Sequence, residues 1–499
     1  MPTHSVPVPS RPLDPIVPIV PSAAPTGPLL GGASCPTLGT QSVSTVPSIK
    51  TPMAAGSKHL FIKTYGCQMN VYDSQRMEEA LVPLGFQVVG EPKDADLIIV
   101  NTCHIRAKAE DKLFSELGRL KIVKKGRHDG GQSTIIVVAG CVGQALGSDI
   151  LKRAPYVDVV VGPQTYHTLP ETVMRILWAQ PDQPKVSLGF PKMEKFDELP
   201  HARGLKGPQA FLSIQEGCNK FCRYCVVPYT RGPEYSRPLS AVLQEAKHLV
   251  DLGAKEITLL GQNVNAYHGL DASGKETSLG RLIYALADCS DLKRLRYTTS
   301  HPRDVDDELL CAHRDVDILM PFLHLPVQSG SDKVLARMNR QYTQGFYLNI
   351  IEKFLKHNPK MAFSSDFIVG YPGETDEDFQ DTCHLIDQVR FAQAFSFMYS
   401  PRPGTPAAMV KQLDESVKNE RLQHLNGVLN THRMAFNETF LNQTIQVLVE
   451  TTQEDHGCMG RSEFMHSVHF DHPFCAVGDF IRVQIQSVSH NSLKGCAVP

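Results

Sequence analysis

Short apolar runs alternate with longer amphipathic stretches from about residue 58, and this alternation predicts α/β structure for most of the chain. In the first part the runs are rich in β-branched residues and apolar at consecutive positions, which is typical of strands buried on both faces. Helical stretches separate them, so we expect a parallel α/β sheet domain over residues 58–180. The four predicted strands are His59–Tyr65, Asp96–Asn101, Thr134–Gly140 and Val157–Gly162.

A second series of strand-like runs follows a segment that contains proline and lysine, residues 181–207, which we interpret as a linker. The runs recur every roughly 25 to 45 residues, with amphipathic segments between them. This spacing predicts a partial (βα)6 barrel over residues 208–440, with its chemistry on the loops that follow the strands. The six predicted strands are Phe211–Gln215, Glu256–Gly261, Arg294–Ser300, Phe322–Pro326, Met361–Val369 and Ala394–Ser400.

The two ends of the chain depart from this pattern. After a last helical stretch, Leu413–Phe440, residues 441–499 alternate apolar and polar positions, which predicts a small β-barrel. Residues 1–57 hold 12 prolines among Ser, Thr and Gly, a composition that predicts a disordered extension, with Met53 as an alternative start. A mitochondrial transit peptide would instead be Arg-rich and amphipathic.

The charge balance excludes a uniformly basic or acidic protein. Lys and Arg number 50 against 52 Asp and Glu, so contact with nucleic acid must come from local patches. No apolar run reaches the ~18 residues of a transmembrane helix and no secretory signal begins the chain, so we expect a cytoplasmic protein without a membrane partner. The 13 cysteines then suit metal or redox chemistry better than disulfides.

The most specific local pattern is a group of three cysteines directly after the first strand of the predicted barrel. It reads Cys218-Asn-Lys-Phe-Cys222-Arg-Tyr-Cys225. Three thiolates this close in sequence can hold a four-iron four-sulfur cluster and leave its fourth iron without a protein ligand. A zinc site would usually need a fourth Cys or His at a matching spacing, and none follows. The pattern therefore favours an iron-sulfur cluster with one open iron.

Three further cysteines, Cys67, Cys103 and Cys141, each follow a predicted strand of the first domain. Because the carboxyl ends of parallel strands meet at one edge of a sheet, we expect these thiols to converge and to hold a second cluster with an open iron. The alternative, a small buried hydrophobic residue, is favoured for any one of them taken alone. The other cysteines are interpreted as structural or incidental: Cys35, Cys289, Cys311, Cys383, Cys458, Cys475 and Cys496.

Two other features have ordinary explanations. The segment Gly269–Lys275 looks like a phosphate-binding loop, but Glu276 replaces the Ser or Thr that would bind magnesium, so we interpret it as a surface loop. A basic cluster in the first domain suits RNA phosphates and a solvated helix end equally well. Its members are Arg119, Lys121, Lys124, Lys125 and Arg127.

Longer motifs surround the cysteines. They are Thr64-Tyr-Gly-Cys-Gln-Met-Asn70, Gln215-Glu-Gly-Cys-Asn-Lys-Phe-Cys-Arg-Tyr-Cys-Val-Val-Pro-Tyr-Thr-Arg-Gly232, Leu260-Gly-Gln-Asn-Val-Asn-Ala-Tyr267, His324-Leu-Pro-Val-Gln-Ser-Gly-Ser331 and Asp366-Phe-Ile-Val-Gly-Tyr-Pro-Gly-Glu-Thr375. Together they resemble the methylthiotransferase family of radical S-adenosylmethionine (SAM) enzymes, within it the tRNA-2-methylthio-N6-dimethylallyladenosine synthases (MiaB type). The resemblance runs from about Lys58 to Val498.

The resemblance implies three domains: an N-terminal methylthiotransferase domain, a central radical SAM barrel and a C-terminal TRAM domain that grips RNA. It also implies two 4Fe-4S clusters with different tasks, one binding SAM and one auxiliary. The implied ligands are Cys218, Cys222 and Cys225 for the SAM cluster, and Cys67, Cys103 and Cys141 for the auxiliary cluster.

The reaction implied by the resemblance needs no side-chain acid, base or nucleophile. The reduced SAM cluster cleaves SAM, and the resulting 5'-deoxyadenosyl radical removes hydrogen from carbon 2 of N6-(dimethylallyl)adenosine at tRNA position 37. Sulfur comes from the auxiliary cluster and the methyl group from a second SAM. Polar or aromatic residues near the strand ends are expected to contact SAM, or alternatively to be structural. They are Tyr224, Gln262, Gln328, Ser329 and Asp366.

The same domain plan serves two other substrates, threonylcarbamoyladenosine in tRNA and an aspartate of a ribosomal protein. The segments Cys67–Asn70 and Tyr229–Gly232 favour the dimethylallyladenosine branch. An alternative of another class is an iron-sulfur factor that binds or senses RNA, although a purely structural cluster has no use for an open iron. We expect a monomer that acts on the tRNA anticodon loop and takes electrons from a reductant such as flavodoxin or ferredoxin, although the sequence itself identifies neither the oligomeric state nor the donor.

One feature of the C-terminal region departs from an RNA-binding domain. Within residues 443–499 only Arg461, Arg482 and Lys494 are set against six acidic residues. The five histidines there would add positive charge only when protonated, with an unperturbed pKa near ~6.5. We therefore expect tight RNA binding to depend more on the other two domains.

Overall fold

A parallel sheet organises the first domain of the protein. The computed structural model describes residues 58–104, 109–178, 185–190, 195–196, 204–289, 291–453 and 457–498, so the predicted extension 1–57 lies outside the described residues. The sheet has the order β2-β1-β3-β4-β5-β6, with every neighbouring pair parallel. Its strands are β1 (Lys58–Thr64), β2 (Phe86–Val88), β3 (Leu97–Asn101), β4 (Ile135–Ala139), β5 (Val159–Val161) and β6 (Val186–Ser187).

Helices cover both faces of this sheet, as the apolar runs predict. The central strands β3 and β4 are buried at every position, and each contributes to two separate apolar layers. The helices of this domain are α1 (Gln68–Leu81), α2 (Ala109–Asp129), α3 (Cys141–Leu146), α4 (Ser148–Arg153) and α5 (Leu169–Leu177).

The four predicted strands of this domain are confirmed, and two more are present. Both additional strands lie at the edges of the sheet and are only three and two residues long. An edge strand pairs on one side and needs no continuous apolar run, so the sequence pattern does not reveal it. Strand β6 falls within residues 181–207, so this segment, interpreted as a linker, supplies a strand to the sheet.

The central domain is a partial barrel of two three-stranded parallel sheets, β7-β10-β13 and β14-β15-β16. Leu295, in the last strand of the first sheet, forms a parallel bridge with Leu319, which precedes the first strand of the second sheet. All six predicted barrel strands are confirmed. They are β7 (Gln209–Ser213), β10 (Glu256–Leu260), β13 (Arg294–Tyr297), β14 (Phe322–His324), β15 (Ala362–Val369) and β16 (Gln393–Met398).

The remaining elements of the central domain surround these strands. Two short hairpins are β8 (Gln215–Glu216) with β9 (Tyr235–Ser236), and β11 (Gly269–Leu270) with β12 (Glu276–Thr277). The helices are α6 (Val227–Thr230), α7 (Leu239–Asp251), α8 (Leu279–Ala287), α9 (Asp307–Asp315), α10 (Asp332–Arg337), α11 (Gln344–His357), α12 (Asp376–Val389) and α13 (Glu415–Glu438).

Alternation along the barrel strands separates an outer apolar layer from an inner face. Leu212, Leu259, Tyr297 and Phe363 belong to the layer that packs against the helices. Their neighbours in sequence point the other way and line what we call the lumen of the barrel. The lumen residues used below are Phe211, Leu260, Arg294, Arg296, His324, Asp366, Ile368, Phe395 and Phe397.

The C-terminal residues form the small closed barrel that the alternation predicts, in the order β17-β18-β19-β21-β20. The guanidinium groups of Arg294 and Arg296, near the amino end of the lumen, donate to four backbone carbonyls of this barrel at 2.7–2.9 Å. The C-terminal barrel therefore docks at the amino ends of the first barrel strands. Its strands are β17 (Thr444–Thr452), β18 (Gly457–Arg461), β19 (Ser467–Asp471), β20 (Phe480–Val488) and β21 (Ser492–Val498).

One feature of the C-terminal barrel differs from the sequence expectation. Cys458 and Cys475 are joined by a disulfide, although the sequence favours reduced thiols. The pairing of β18 with β19 brings the start of β18 close to the loop that precedes β20, which spacing along the chain does not show. No helix in the described part of the chain has both the length and the apolar character to cross a bilayer.

Candidate iron-sulfur centres

The loop that carries Cys218, Cys222 and Cys225 begins immediately after β8, at a glycine that no other residue could replace. Gly217 has φ +74°, and a Cβ there would lie 1.9 Å from the carbonyl oxygen of Pro233. Its amide donates to Oε1 of Gln262 at 2.6 Å. Between the first two cysteines, Phe221 has φ 48°, a left-handed conformation that is strained for a bulky side chain.

The environment of these three thiols suits an anionic iron-sulfur cluster. Nη1 of Arg340, a buried residue, lies 3.6 Å from Sγ of Cys222, and the amide of Val227 lies 3.5 Å from Sγ of Cys225. Burial raises the pKa of Cys218 to about 11 and that of Cys225 to about 12. Deprotonation of such thiols requires nearby positive charge, which iron supplies.

Cys67, Cys103 and Cys141 come together at the carboxyl edge of the first sheet. Cys67 is the N-cap of α1, Cys103 follows β3, and Cys141 is the first residue of α3. A Cβ on Gly66 would lie 2.6 Å from Cβ of Cys103, which shows how closely the segments around two of these thiols approach. The convergence expected from the strand ends is therefore present in the fold.

The pKa values of this second set respond to each other and to one arginine. Hydrogen bonding with Cys103 and the positive charge of Arg231 lower the pKa of Cys67 to about 6, against the opposing effect of burial. Burial raises the pKa of Cys141, and the guanidinium of Arg231 partly offsets this effect. Nη1 of Arg231 is buried without a hydrogen-bond partner, its nearest carboxylate oxygen being Oε1 of Glu216 at 3.5 Å. A buried cationic donor beside thiols fits an anionic cluster as its acceptor.

Arg231 belongs to a buried ion-pair network that joins the first domain to the barrel. It pairs with Asp73 of α1 at 2.6 Å, and Lys195 pairs with Glu216 of β8 at 2.6 Å. Nζ of Lys195 also lies 3.9 Å from Oδ1 of Asp73. Since Glu216 precedes the Cys218 loop by two residues and Asp73 lies six residues after Cys67, the network connects the supports of the two thiol sets.

The first domain places its thiol edge across the lumen of the barrel. Met69 and Tyr72 of α1 pack against Leu260 and Phe211 of the lumen, with Cys67 beside them. On the other side of the barrel, Arg402 follows β16 and is close enough to interact electrostatically with Cys103. The auxiliary thiols therefore lie near both ends of the open strand series.

Of the five other predicted site residues, one lies on the inner face of the barrel, and two glutamines lie at the start of a thiol loop and beside a strand. Asp366 lies on the inner face of β15, where Oδ2 is 3.6 Å from Nε2 of His324. Gln262 holds the start of the Cys218 loop through Gly217. Gln328 has φ 77° and forms a parallel bridge with Phe367 of β15.

Ser329 and Tyr224 have mainly packing roles in the structure. Ser329 is fully buried, and its hydroxyl contacts Oγ1 of Thr382 at 3.3 Å and accepts from the amide of Ser331 at 3.2 Å. Tyr224 is partly buried beside a small apolar cluster that includes Ile368 of the lumen as another peripheral member. Tyr224 thus lies at the lumen side of the Cys218 loop, whereas the Ser329 hydroxyl is turned towards α12.

The arrangement differs from a site for a single metal ion. Within the described ranges, no three Cys, His, Asp or Glu side chains surround one point as ligands of one ion would. A four-iron cluster spaces its ligands more widely because each thiolate binds a different iron. Among the described residues, the two three-thiol sets are therefore candidates for clusters and not for a single ion.

The structure shows the contacts of the loop that looks like a phosphate-binding loop and of two residues of the basic cluster. The segment Gly269–Lys275 is part of the β11–β12 hairpin, where Oδ1 of Asp271 accepts from Ser273 and from the amide of Lys275. In the basic cluster, Lys124 pairs with Asp158 at 2.5 Å and Arg127 with Asp96 at 2.6 Å. These cations support the sheet from α2, which favours the structural explanation.

Sequence reasoning missed three residues that support the thiols: Lys195, Arg231 and Arg340. Lys195 lies in the predicted linker, and Arg340 lies 118 residues from its contact Cys222. Arg231 stands six residues after Cys225, inside the longer motif that ends at Gly232, and this position was the one available signal.

Comparison with solved structures supports the fold. The structure resembles the radical S-adenosylmethionine methyltransferase TsrM from Kitasatospora setae with TM-score 0.53 and 12% identity, over 71% of this chain and 74% of that chain. The cobalamin-dependent S-adenosylmethionine radical enzyme OxsB gives TM-score 0.50 and 10% identity, over 75% of this chain and 57% of that chain. At these identities the similarity is one of fold.

Comparison of sequences supports a closer relationship. Residues 59–162 match the family described as Uncharacterized protein family UPF0004, and residues 212–386 match the Radical SAM superfamily. The tRNA-2-methylthio-N(6)-dimethylallyladenosine synthase of Bartonella tribocorum (strain CIP 105476 / IBS 506) is 51% identical over 455 residues, which are 90% of this chain and 98% of that protein. With two thiol sets across a radical SAM barrel and this extent of identity, the chain belongs to the tRNA-2-methylthio-N(6)-dimethylallyladenosine synthase family.

Proposed function

We propose that this protein is a radical SAM methylthiotransferase that adds a methylthio group to carbon 2 of N6-(dimethylallyl)adenosine at position 37 of tRNA. The observation that supports the proposal is that the first domain brings its thiol edge to the lumen of a barrel that carries a second three-thiol loop. A reaction that both activates an unreactive carbon and inserts sulfur needs two such centres close to one substrate atom. Family membership supports the choice of nucleoside.

Membership of the radical SAM superfamily implies a 4Fe-4S cluster and SAM. We assign the SAM cluster to the thiols after β8 and an auxiliary 4Fe-4S cluster to the thiols of the first domain. When bound, the SAM cluster and SAM supply the radical that removes hydrogen, and the auxiliary cluster supplies the sulfur. The proposed ligands are Cys218, Cys222 and Cys225 for the first cluster and Cys67, Cys103 and Cys141 for the second.

The chain itself positions these groups and limits the access of water. Gln262 fixes the first residue of the Cys218 loop, and Arg340 places a positive charge beside Cys222. Arg231 places positive charge between Cys67 and Cys141. Met69 packs against Leu260 at one side of the lumen, and we expect this contact to limit water there and so to protect a reactive radical from side reactions.

We expect the anticodon loop of tRNA to enter the lumen, with electrons supplied by a reductant such as flavodoxin or ferredoxin. The C-terminal barrel, which we propose is a TRAM domain, docks at the amino ends of the first strands. We expect a monomer in the cytoplasm, since each chain carries both thiol sets.

The test is made on anaerobically reconstituted protein with SAM, a strong reductant and tRNA that contains N6-(dimethylallyl)adenosine. Digestion and mass spectrometry should reveal the methylthio nucleoside. The product should disappear in Cys67→Ala and Cys222→Ala variants, whereas Cys289→Ala, at a partly buried thiol outside both sets, should retain it.

Formation of 5'-deoxyadenosine separates the alternatives. The Cys67→Ala variant should still produce it, because the thiols after β8 are intact. If the unmodified enzyme produced 5'-deoxyadenosine but left this nucleoside unchanged, the substrate assignment would be wrong, and threonylcarbamoyladenosine or a ribosomal protein would be tested. If a fully loaded enzyme produced neither compound, the protein would be an iron-sulfur RNA-binding factor.

A further inference from the structure

Two half-exposed phenylalanines lie on the inner face of the last barrel strand. Phe395 is 43% exposed and Phe397 is 48% exposed, although β16 is a strand of the barrel. Between and beside them, Ala394 and Met398 pack in the outer apolar layer, and Oγ of Ser396 contacts Oδ1 of Asn426 on α13 at 2.5 Å. The alternation leaves both phenylalanine rings facing the lumen.

The strand register identifies what lies beside each ring. Phe395 is the partner of Asp366, and Phe397 is the partner of Ile368, so the four side chains form two adjacent rows on one inner face. His324 on β14 is the partner of Ser364, one row before Asp366, and its Nε2 lies 3.6 Å from Oδ2 of Asp366. One row therefore has a polar end, and the other is apolar.

This apolar row has neighbours that belong to both thiol sets. Ile368 packs with the small apolar cluster that also contacts Tyr224 of the Cys218 loop. After Phe397, the chain leaves β16 and reaches Arg402, which interacts with Cys103 of the auxiliary set. An apolar group that rested on Phe395 and Phe397 would thus hold its attached base between both centres.

We propose that Phe395, Phe397 and Ile368 form the binding site for the dimethylallyl chain of the substrate nucleoside. This proposal rests on the proposed function and adds the residues that distinguish the modified adenosine from an unmodified one. Exposed aromatic surface inside a barrel is costly in water, and a branched five-carbon chain would cover it. The polar and anionic threonylcarbamoyl group would instead meet apolar rings and the neighbouring Asp366 carboxylate, which disfavours it.

The test compares two RNA ligands on the holoenzyme without SAM. Anticodon stem-loop RNAs carry either N6-(dimethylallyl)adenosine or adenosine at the target position, and fluorescence anisotropy gives the dissociation constant of each. The wild-type protein should prefer the modified RNA. Phe397→Ala should weaken binding of the modified RNA by about tenfold, because the lost apolar contact is worth more than one methylene group, and should leave the unmodified RNA unaffected.

Two further variants make the result specific. Phe395→Leu keeps an apolar side chain of smaller area and should reduce the preference only in part. Phe346→Ala removes a comparably exposed phenylalanine from α11, away from β16, and should leave the preference intact. Thermal unfolding and iron content confirm that each variant is folded and loaded.

The outcomes distinguish this inference from the proposed function. Unchanged preference in both Phe397→Ala and Phe395→Leu, with a wild-type enzyme that forms the methylthio nucleoside, would overturn the inference and leave the function intact. A wild-type enzyme that neither prefers the modified RNA nor modifies it would overturn both. A loss of preference for the modified RNA in the β16 variants, with the preference retained in Phe346→Ala, would support the inference.

Discussion

At the scale of single residues, the six candidate ligands occupy two different environments. After β8, burial raises the pKa values of Cys218 and Cys225, and the Arg340 guanidinium lies beside Cys222. In the first domain, hydrogen bonding with Cys103 and the charge of Arg231 lower the pKa of Cys67, whereas burial raises that of Cys141. Each set therefore has its own source of positive charge, which is consistent with two separate clusters.

Iron analysis of single cysteine variants tests this separation. We expect the reconstituted protein to hold about eight irons, and both Cys103→Ala and Cys225→Ala to hold about four, since each removes one ligand from one cluster. Only Cys225→Ala should lose the spectral change on addition of SAM. A matched Cys311→Ala variant should keep the full iron content, and loss of all iron from Cys103→Ala would contradict independent clusters.

The sequence predicts the thiols but not the residues that support them, for a physical reason. Cysteines at strand ends and at short spacing are recognisable because the chemistry dictates their pattern. Arg231 and Arg340 act through space, 158 residues from Asp73 and 118 residues from Cys222. Ser329 illustrates the converse, since it stands in a motif while its hydroxyl is turned towards Thr382.

At the scale of elements, long apolar strands are predictable and short edge strands are not. The strands β3 and β4 are buried throughout and appear in the sequence as continuous apolar runs. β2 has one buried residue in three and β6 has none, so neither carries a pattern. The packing of α1 across the lumen also could not be predicted from the sequence, because it depends on how the two domains contact each other.

The network between α1 and β8 gives a prediction at this scale. Arg231→Met leaves Asp73 and Glu216 buried with one cation, Lys195, in place of two. Removing one partner from a buried ion pair costs about 3–5 kcal/mol, so the free energy of unfolding should fall by that order. Denaturant titration of the anaerobic protein measures it.

A surface pair provides the control for this prediction. Arg281→Met breaks the exposed pair with Glu308 on the outside of the barrel and should cost under about 1 kcal/mol. Equal losses of unfolding free energy in the two variants would contradict a special role for the network. A loss confined to Arg231→Met would support these buried charges as the main stabilising contact between the two domains.

At the scale of the whole molecule, the two outer domains bind opposite ends of the barrel. The first domain covers the lumen with its thiol edge, while the C-terminal barrel holds the amino ends of the strands through Arg294 and Arg296. The C-terminal barrel also packs on α13 through an aromatic group that includes Phe436, Phe440 and His466. The stability of this contact depends on His466 remaining neutral.

The pH dependence of that contact follows from its burial. Burial lowers the pKa of His466 to about 4, from an ordinary value of 6.5. As pH falls below 6.5 the unfolded chain gains a proton that the folded chain does not, so stability decreases until about pH 4, by roughly 3 kcal/mol at most. Thermal unfolding between pH 7.5 and pH 5 should show this loss.

Two histidine variants check the source of the effect. His466→Gln should flatten the pH dependence of the melting temperature, because glutamine does not titrate in this range. His469→Gln, at an exposed position on β19, should leave the slope unchanged. An unchanged slope in His466→Gln would assign the pH dependence to other groups.

The central claim is that the clusters held by the two thiol sets act on the same carbon of the substrate in the lumen. Transfer of deuterium from that carbon tests the claim most directly. The substrate is an anticodon stem-loop with deuterium at carbon 2 of N6-(dimethylallyl)adenosine, and mass spectrometry follows both nucleoside and 5'-deoxyadenosine. We expect deuterium in 5'-deoxyadenosine from the wild-type enzyme and from Cys67→Ala, with the methylthio nucleoside from the wild type alone. Retention of deuterium on carbon 2, with 5'-deoxyadenosine free of it, would contradict the claim.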